Sequence, residues 1–166
     1  ASITAVHMPQ GGMPALGDNP LFLGCADYRS TIASNAESSG FTFPEEMRRH
    51  ADKGTALVTD KDPGDAEIAE VVSQAAAHSC IVLGTYNGHI LQGQLRLAKA
   101  LAATGLPMIL VALRNPYDLR NMPDHVAALA GWEYTRPLFD ALWPVLNGTV
   151  RPTGKLPLLT LTKAAK

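Results

Sequence analysis

The run Met108–Leu113 places six apolar residues in succession, Met-Ile-Leu-Val-Ala-Leu. A strand that is apolar at every position has to be covered on both faces, which is typical of a central strand in a parallel sheet. Shorter apolar runs, separated by stretches of helical periodicity, indicate further strands. These runs are Leu21–Cys25, Ala56–Thr59, Cys80–Leu83 and the more alanine-rich His125–Ala130.

Helical patterns lie between these runs. From Asp65 to His78, apolar side chains recur at the spacing of one buried helix face, and acidic residues occupy the first turn. Similar patterns predict helices over Pro44–Ala51, over His89–Thr104, and from a cap at Thr135 to an end at Gly148. Strands that alternate with helices form βαβ units. The sequence therefore predicts an α/β fold: a mostly parallel five- or six-stranded sheet with helices on both faces, a flavodoxin-like three-layer sandwich.

Glycines and prolines divide the pattern into elements. Gly84 is expected to stop the strand that begins at Cys80, and Gly105 suits the left-handed position just past a helix. The first 20 residues are rich in Gly and Pro. We expect them to form an extended lead-in after a short apolar piece, Ile3–Val6.

Composition limits the class of protein. The chain has 166 residues, 46% hydrophobic and 17% charged, with a net charge of −1, and this length suits one domain over residues 1–166. Scattered Lys and Arg argue against nucleic acid as a partner. No apolar stretch approaches the ~20 residues that cross a bilayer, and no signal pattern opens the chain. These observations leave the compartment open. Cys25 and Cys80 match no redox or metal spacing, and we expect two buried thiols rather than a disulfide.

The predicted fold also indicates where a site would lie. In open parallel sheets, ligands bind beyond the carboxyl ends of the strands, near the point where strand order reverses. Four polar segments follow predicted strands: Ala26–Arg29, Gly84–His89, Arg114–Asp118 and Gly131–Tyr134. Their rings could stack on a sugar while their amides bind hydroxyl groups. The same residues could instead cap helices, fill turns or face a neighbouring domain, and the pattern leaves both interpretations open.

Common catalytic and cofactor motifs are missing. The chain has no Gly-x-Ser-x-Gly, His-Glu-x-x-His or Gly-x-Gly-x-x-Gly motif, and its five histidines show no metal-ligand spacing. Gly148–Leu156 resembles a phosphate loop but has an extra residue between its glycines and Leu156 where Ser or Thr would bind magnesium. We therefore expect no cofactor and no metal.

Acidic residues are absent from positions 71 to 117. A glycosidase usually needs two carboxyl groups, one to protonate the leaving oxygen and one to attack or to activate water. The loops that most suggest a site cannot supply this pair. Asp118 and Glu133 are the nearest acids, and Asp118, after a Pro-Tyr turn, is expected to cap the next helical turn.

An ordered set of motifs resembles a known family. Ile109–Leu119, Trp132–Thr135 and Pro152–Pro157 resemble the C-terminal α/β domain of glycoside hydrolase family 3, and in particular its two-domain β-N-acetylhexosaminidases (β-N-acetylglucosaminidases). Ser2–Val6 resembles the stretch that enters that domain, and Gly84–Gly88 resembles its central post-strand loop. The resemblance covers nearly the whole chain.

This resemblance implies a partner and an accessory role. In that family an N-terminal (β/α)₈ barrel carries the nucleophilic Asp and most of the sugar pocket, and this chain is too short to include such a barrel. In the β-glucosidase branch, the loop that corresponds to Gly84–Gly93 donates the acid/base Glu, whereas here it holds no acid. In the hexosaminidase branch, a His–Asp pair on the barrel takes that role. The resemblance thus implies an accessory domain, without a catalytic group, of a β-N-acetylglucosaminidase acting on cell-wall or chitin-derived saccharides.

The candidate contacts to a carbohydrate or to the barrel all follow predicted strands. They are Tyr86, Asn87, His89, Arg114, Asn115, Tyr117 and Asp118. Arg114 offers forked donors and Tyr117 offers a ring face with a hydroxyl. Asn115 and Asp118 could instead serve the turn around Pro116.

Two other functions remain open at this stage. One is a free-standing module that binds a sugar or an anion. The other is a flavodoxin-like nucleotide or flavin protein, which would have to manage without a phosphate-cradling loop after its first strand. If the chain is one half of an enzyme, its exposed barrel-facing surface would favour a homodimer of the isolated chain.

Overall fold

The computed structural model describes residues 2–27 and 40–154. The strands are β1 (Thr4–His7), β2 (Pro20–Cys25), β3 (Thr55–Thr59), β4 (Cys80–Thr85), β5 (Met108–Ala112) and β6 (Val126–Ala130). The helices are α1 (Phe43–Ala51), α2 (Asp65–Ala75), α3 (Gln92–Ala103) and α4 (Arg136–Leu146), with a 3₁₀ helix at Pro116–Leu119. Tyr28 and Arg29 of the predicted polar loop, and residues 155–157 of the motif that begins at Pro152, lie outside the described residues.

The strands form one six-stranded sheet in the order β1-β6-β5-β4-β2-β3. Strands β2 to β6 are parallel to one another, and β1 runs antiparallel to β6 with Thr4 opposite Ala130. This confirms the predicted mostly parallel sheet, and the lead-in contributes its antiparallel edge strand. Because β3 lies outside β2 while β4 lies on its other side, strand order reverses between β2 and β4. A ligand site is expected beyond the carboxyl ends of these two strands.

Two hydrophobic clusters cover the two faces of the sheet, which confirms the predicted three layers. Helices α1 and α4 pack on one face together with most of the buried aromatic rings. Helices α2 and α3 pack on the other face, where the buried side chains are aliphatic. Every residue of β5 is buried, as its unbroken apolar run predicts. Fully buried representatives are Phe22, Phe43 and Phe139 on the first face, and Leu23, Leu97 and Leu101 on the second.

Two helix ends differ from the prediction. Helix α3 begins at Gln92 rather than at His89, because the amides of Ile90 and Leu91 both bond back to the carbonyl of Asn87 and form a separate turn. Helix α2 ends at Ala75 rather than at His78. After α2, the amides of Ala77 and His78 donate to the carbonyls of Gln74 and Ala75, three residues earlier, so the chain forms a turn instead of continuing the α-helix. The predicted cap of α4 is confirmed: the Thr135 hydroxyl accepts a bond from the Leu138 amide at 3.3 Å.

Gly84 does not end its strand, contrary to expectation, because β4 continues to Thr85. A Cβ atom at Gly84 would lie 2.5 Å from Cδ1 of Phe43. The glycine therefore allows α1 to pack closely on the sheet. By contrast, Gly105 has a φ of 74° just past α3, as predicted.

Both cysteines are free and buried, which confirms the expectation of two thiols. Burial raises the pKa of the Cys25 thiol to about 12 and that of the Cys80 thiol to about 12.

Over residues 2–27 and 40–154, none of the helices has the length and apolar character needed to cross a membrane.

Candidate functional site

The seven candidate residues lie in two neighbouring loops at the carboxyl edge of the sheet. The β4 loop, residues 86–91, carries Tyr86, Asn87 and His89, and the β5 loop, residues 113–119, carries the other four. Strands β4 and β5 are adjacent and parallel. The structure therefore brings these two groups of side chains to one edge, beside the point where strand order reverses.

Asp118 joins the two loops. Its side chain is completely buried, and its carboxylate accepts bonds from the Gly88 amide at 2.9 Å and from the His89 amide at 2.7 Å. A Cβ atom at Gly88 would lie 3.1 Å from Oδ2 of Asp118, so a glycine suits this close approach. The expectation that Asp118 caps a following helical turn is wrong, because both bonds go to a loop 29 and 30 residues earlier.

Asn115 has the turn role that the sequence left open. Its side-chain oxygen accepts a bond from the Tyr117 amide at 3.1 Å and caps the 3₁₀ helix. Asn87 also shapes a turn, with a φ of 56° that asparagine tolerates better than most residues. Both side chains are half-buried. Their backbone roles explain why these residue types occupy these positions.

His89 faces Asp118 with one ring nitrogen. Its Nδ1 lies 3.5 Å from Oδ1 of Asp118, is buried, and has no hydrogen-bond partner within the described part of the chain. The side chain as a whole remains 33% exposed. One side of the imidazole thus faces a buried carboxylate, while the rest of the side chain reaches solvent.

Tyr86 is held by a residue that the sequence reasoning missed. The side-chain amide of Gln94, on α3, accepts a bond from the Tyr86 amide at 2.8 Å and donates to the Tyr86 carbonyl at 2.9 Å. It also donates to the carbonyl of Lys61 at 2.8 Å, in the segment after β3. Gln94 is buried at a position in line with Leu97 and Leu101. In the sequence, the signal that could have identified Gln94 is its position as a polar residue in line with the apolar face of a helix.

Two tyrosines connect the β4 loop to its neighbours. The buried Tyr86 ring meets Tyr134 edge-to-face with centroids 5.4 Å apart, and its hydroxyl accepts a bond from Nη1 of Arg114 at 2.9 Å. The Tyr134 hydroxyl donates to the Cys25 carbonyl at 3.0 Å and accepts from the Phe43 amide at 2.8 Å. Burial raises the pKa of Tyr134 above its usual range. Tyr134, which was outside the seven candidates, therefore links the loop after β6 to the end of β2 and to the start of α1.

Several exposed side chains lie among the described residues at this edge. Arg114 is exposed, and Tyr117 is 43% exposed with the guanidinium of Arg120 4.4 Å from its ring centre. Glu133 is an exposed acid in the loop after β6. Trp132 in that loop has a φ of 71°, which bulky residues rarely adopt.

The chemistry of the two loops is hydrogen bonding and ring contact. Asp118 is the acid they contain, and its carboxylate is buried against two amides, so a substrate would not reach it. Within residues 2–27 and 40–154, no group of three or more His, Cys, Asp or Glu side chains could hold a metal ion. The solvent-accessible donors and rings suit a polar ligand or a protein surface.

Two adjoining grooves lie away from this edge, between residues 8–17 and the end of α4. Their volumes are about 510 Å³ and about 550 Å³. Trp143 and Leu146 line the first, and Met8 and Val150 line the second. Gly17 lies in the wall of the first groove, and a Cβ atom there would lie 2.6 Å from Cβ of Ser79, directly before β4. The grooves therefore lie toward the amino ends of the strands, and none of the seven candidates lines them.

Solved structures with this fold include family 3 glycoside hydrolases. The family 3 β-N-acetylglucosaminidase from Paenibacillus sp. str. FPU-7 matches 98% of this chain with a TM-score of 0.80 and 23% identity. A fungal multi-domain family 3 β-N-acetylglucosaminidase matches 93% with a TM-score of 0.71 and 18% identity. A β-glucosidase from Listeria innocua matches 93% with a TM-score of 0.71 and 17% identity. No protein-family model and no curated protein sequence matches the chain.

This chain spans only a minor part of each of these enzymes. The match covers 31% of the Paenibacillus enzyme, 17% of the fungal enzyme and 25% of the Listeria enzyme. The resemblance to family 3 that the sequence motifs predicted is thereby confirmed at the level of the fold. A shared fold does not by itself carry an activity, which has to be argued from the site.

Proposed function

We propose that this chain is the C-terminal accessory domain of a family 3 glycoside hydrolase, a β-N-acetylglucosaminidase that removes terminal N-acetylhexosamine from cell-wall or chitin-derived saccharides. The observation that carries the proposal is the extent of the structural match: 98% of this chain against 31% of a family 3 β-N-acetylglucosaminidase. A domain that matches so fully, and yet accounts for so little of the enzyme, is expected to work beside a larger catalytic part.

The chemistry of the carboxyl edge supports an accessory role. Glycoside hydrolysis generally uses two carboxyl groups on either side of the scissile bond. The β4 loop has no acid, and the carboxylate of Asp118 is buried and bonded to the Gly88 and His89 amides. The nucleophile and the acid/base group would then belong to the (β/α)₈ barrel that the family resemblance implies.

The β4 loop also favours one branch of the family. The β-glucosidase branch would require an acid in Gly84–Gly93 that reaches out of this domain into the barrel. Here the side chains of Gln94 and Asp118 accept hydrogen bonds from the Tyr86 and His89 amides and hold the loop against its own domain. Such a loop is suited to form a pocket wall rather than to deliver a catalytic acid.

The seven candidates divide by what they contact. Arg114, Tyr117 and His89 are at least partly exposed, and we assign them to contacts with the sugar or the barrel. The others position the loops: Tyr86 supports Arg114, Asn115 caps the 3₁₀ helix, and Asn87 and Asp118 shape the β4 loop.

The same edge carries exposed apolar surface. Ile90 in the β4 loop is 65% exposed, and Tyr117 in the β5 loop is 43% exposed. A barrel docked on this edge would cover both side chains. Without the barrel, we expect the isolated chain to self-associate weakly, and a sedimentation experiment would show a monomer–dimer equilibrium that Ile90→Asp shifts toward the monomer.

The test compares hydrolysis of a chromogenic aryl N-acetyl-β-glucosaminide by this purified chain and by the complete natural gene product that contains it. We expect the chain to fold without turnover, and the complete product to be longer by a barrel and active. The aryl β-glucoside serves as the control substrate, on which we expect much lower activity. Turnover by the chain alone, or a complete product without a barrel, would contradict the proposal, and saturable binding of N-acetylglucosamine to the lone chain would then favour a free-standing binding module.

A further inference from the structure

The pairing of His89 with Asp118 restricts how the imidazole can carry its proton. The Asp118 carboxylate is fully buried and fixed by the Gly88 and His89 amides. Nδ1 of His89 lies 3.5 Å from the same oxygen that accepts the His89 amide bond, and solvent does not reach this nitrogen.

An ionised carboxylate only accepts hydrogen bonds, whereas a neutral imidazole has one donor and one acceptor nitrogen. If Nδ1 carried the lone pair, two acceptors would face each other in a buried place. If Nδ1 carries the proton, a donor faces an acceptor and needs to move only a few tenths of an ångström for a hydrogen bond. A carboxylate that orients an imidazole through one nitrogen is a recurring way to fix the tautomer and expose the other nitrogen.

We propose that Asp118 holds His89 as the Nδ1–H tautomer, and that Nε2 accepts a hydrogen bond from a hydroxyl group of the bound saccharide. The saccharide part of this inference rests on the proposed function, while the tautomer does not. Asp118 is a positioning residue because it acts through His89. His89 would then be a determinant of substrate binding that this domain adds to a pocket whose catalytic groups lie on the barrel.

The molecule contains its own control for the tautomer. The Nε2 atom of His50, not its Nδ1, lies 2.9 Å from Oδ1 of Asp140. By the same argument, His50 prefers the Nε2–H tautomer. The two histidines should therefore carry their protons on opposite nitrogens in the same sample.

The first experiment measures imidazole ¹⁵N chemical shifts of this chain at a pH where both histidines are neutral. We expect a protonated Nδ1 and an unprotonated Nε2 for His89, and the reverse for His50. Asp118→Asn should shift His89 toward the Nε2–H tautomer, and the wild-type spectrum decides if that variant does not fold. A His89 that carries its proton on Nε2 in the wild-type chain would overturn the inference.

The second experiment measures hydrolysis of the aryl N-acetyl-β-glucosaminide by the complete gene product. We expect His89→Ala to raise KM roughly tenfold, the equivalent of one hydrogen bond, and to change kcat less than threefold. His89→Gln keeps a hydrogen-bond acceptor at a similar distance from the backbone, so its KM should rise less than that of His89→Ala. The matched control is His78→Ala. Nδ1 of His78 contacts the Asn19 carbonyl at the amino edge of the sheet, so this substitution should leave KM unchanged.

The outcomes separate this inference from the proposed function. If the wild-type product is active and His89→Ala leaves KM within twofold, the saccharide contact is wrong while the proposed function stands. If the wild-type product does not hydrolyse the glucosaminide at all, the proposed function fails, and the tautomer measurement still stands or falls by itself.

Discussion

Two histidine–aspartate pairs in this protein differ in burial, and their expected strengths do not follow from their distances alone. His50 and Asp140, on α1 and α4, approach to 2.9 Å, whereas His89 and Asp118, at the carboxyl edge, are 3.5 Å apart. The Asp140 side chain is 62% exposed, and the Asp118 side chain is fully buried. Water screens the charge of Asp140 and competes for its hydrogen bond with His50. The shorter contact is therefore expected to be the weaker one.

The difference extends to the surroundings of each pair. Three buried polar side chains at the carboxyl edge each make two or more hydrogen bonds: Asp118 to two amides, Gln94 to three backbone groups, and the Tyr134 hydroxyl to two. Buried groups that are satisfied in this way are costly to disrupt. The α1–α4 surface instead adjoins an open groove at Trp143. The grooves and the buried hydrogen-bonded side chains thus lie in different parts of the molecule. The hydrogen-bonded side chains lie at the carboxyl edge, where ligands bind in open parallel sheets.

The largest expected effect comes from removing the buried carboxylate. Asp118→Ala leaves the buried Gly88 amide and the partly buried His89 amide without an acceptor, which should lower the free energy of unfolding by about 2–4 kcal/mol. Urea denaturation measures the change. Glu133→Ala, which removes an exposed acid from a nearby loop, should change it by less than about 0.5 kcal/mol. Equal effects of the two substitutions would show that the Asp118 contacts do not hold the edge together.

Gln94→Ala should have the next largest effect. It removes three hydrogen bonds, two of them to the backbone of the buried residue Tyr86, and we expect a loss of about 2 kcal/mol in the free energy of unfolding, measured by urea denaturation. Gln74→Ala on α2 is the matched control, because that side chain is exposed and makes one long bond to Glu70. A loss for Gln94→Ala no greater than for the control would mean that water replaces the amide at this edge.

The sequence predicted the sheet better than the site for a physical reason. The apolar run of β5 and the stripe of α2 report burial at their own positions, and burial defines these elements. Gly84 was misjudged because its small size serves Phe43, which arrives from another element. Asp118 was misjudged for the same reason, since its partners lie about 30 residues away. Local patterns do not record which distant backbone groups need an acceptor.

The two cysteines test whether the hydrophobic interior differs between the two edges. Cys25 ends β2 at the carboxyl edge, and Cys80 begins β4 at the amino edge. Burial raises the pKa of each thiol from 9.0 to about 12. Below pH 9, folded and unfolded chains both keep these protons. Above it the unfolded chain releases them first, so stability should fall as pH rises toward 12.

At pH 10 this linkage corresponds to a loss of roughly 1–2 kcal/mol per thiol. Tyr134, whose pKa is also raised by burial, should add to the decline at higher pH. Urea denaturation at pH 8 and at pH 10 measures the slope, and Cys25→Ala and Cys80→Ala should each reduce it by a similar amount. A slope that changes in only one of the two variants would show that one edge admits water to its thiol.

The smallest expected effect belongs to the shorter of the two histidine–aspartate pairs. Asp140→Ala removes the 2.9 Å contact with Nε2 of His50 but leaves no buried group unpaired, and the His50 ring keeps its stacking on Trp143. We expect a change of less than about 0.5 kcal/mol, measured by urea denaturation under the conditions used for Asp118→Ala. A loss above about 1.5 kcal/mol would reverse the ranking of the two pairs. Distance, rather than burial and the number of satisfied donors, would then decide the strength of such pairs in this protein.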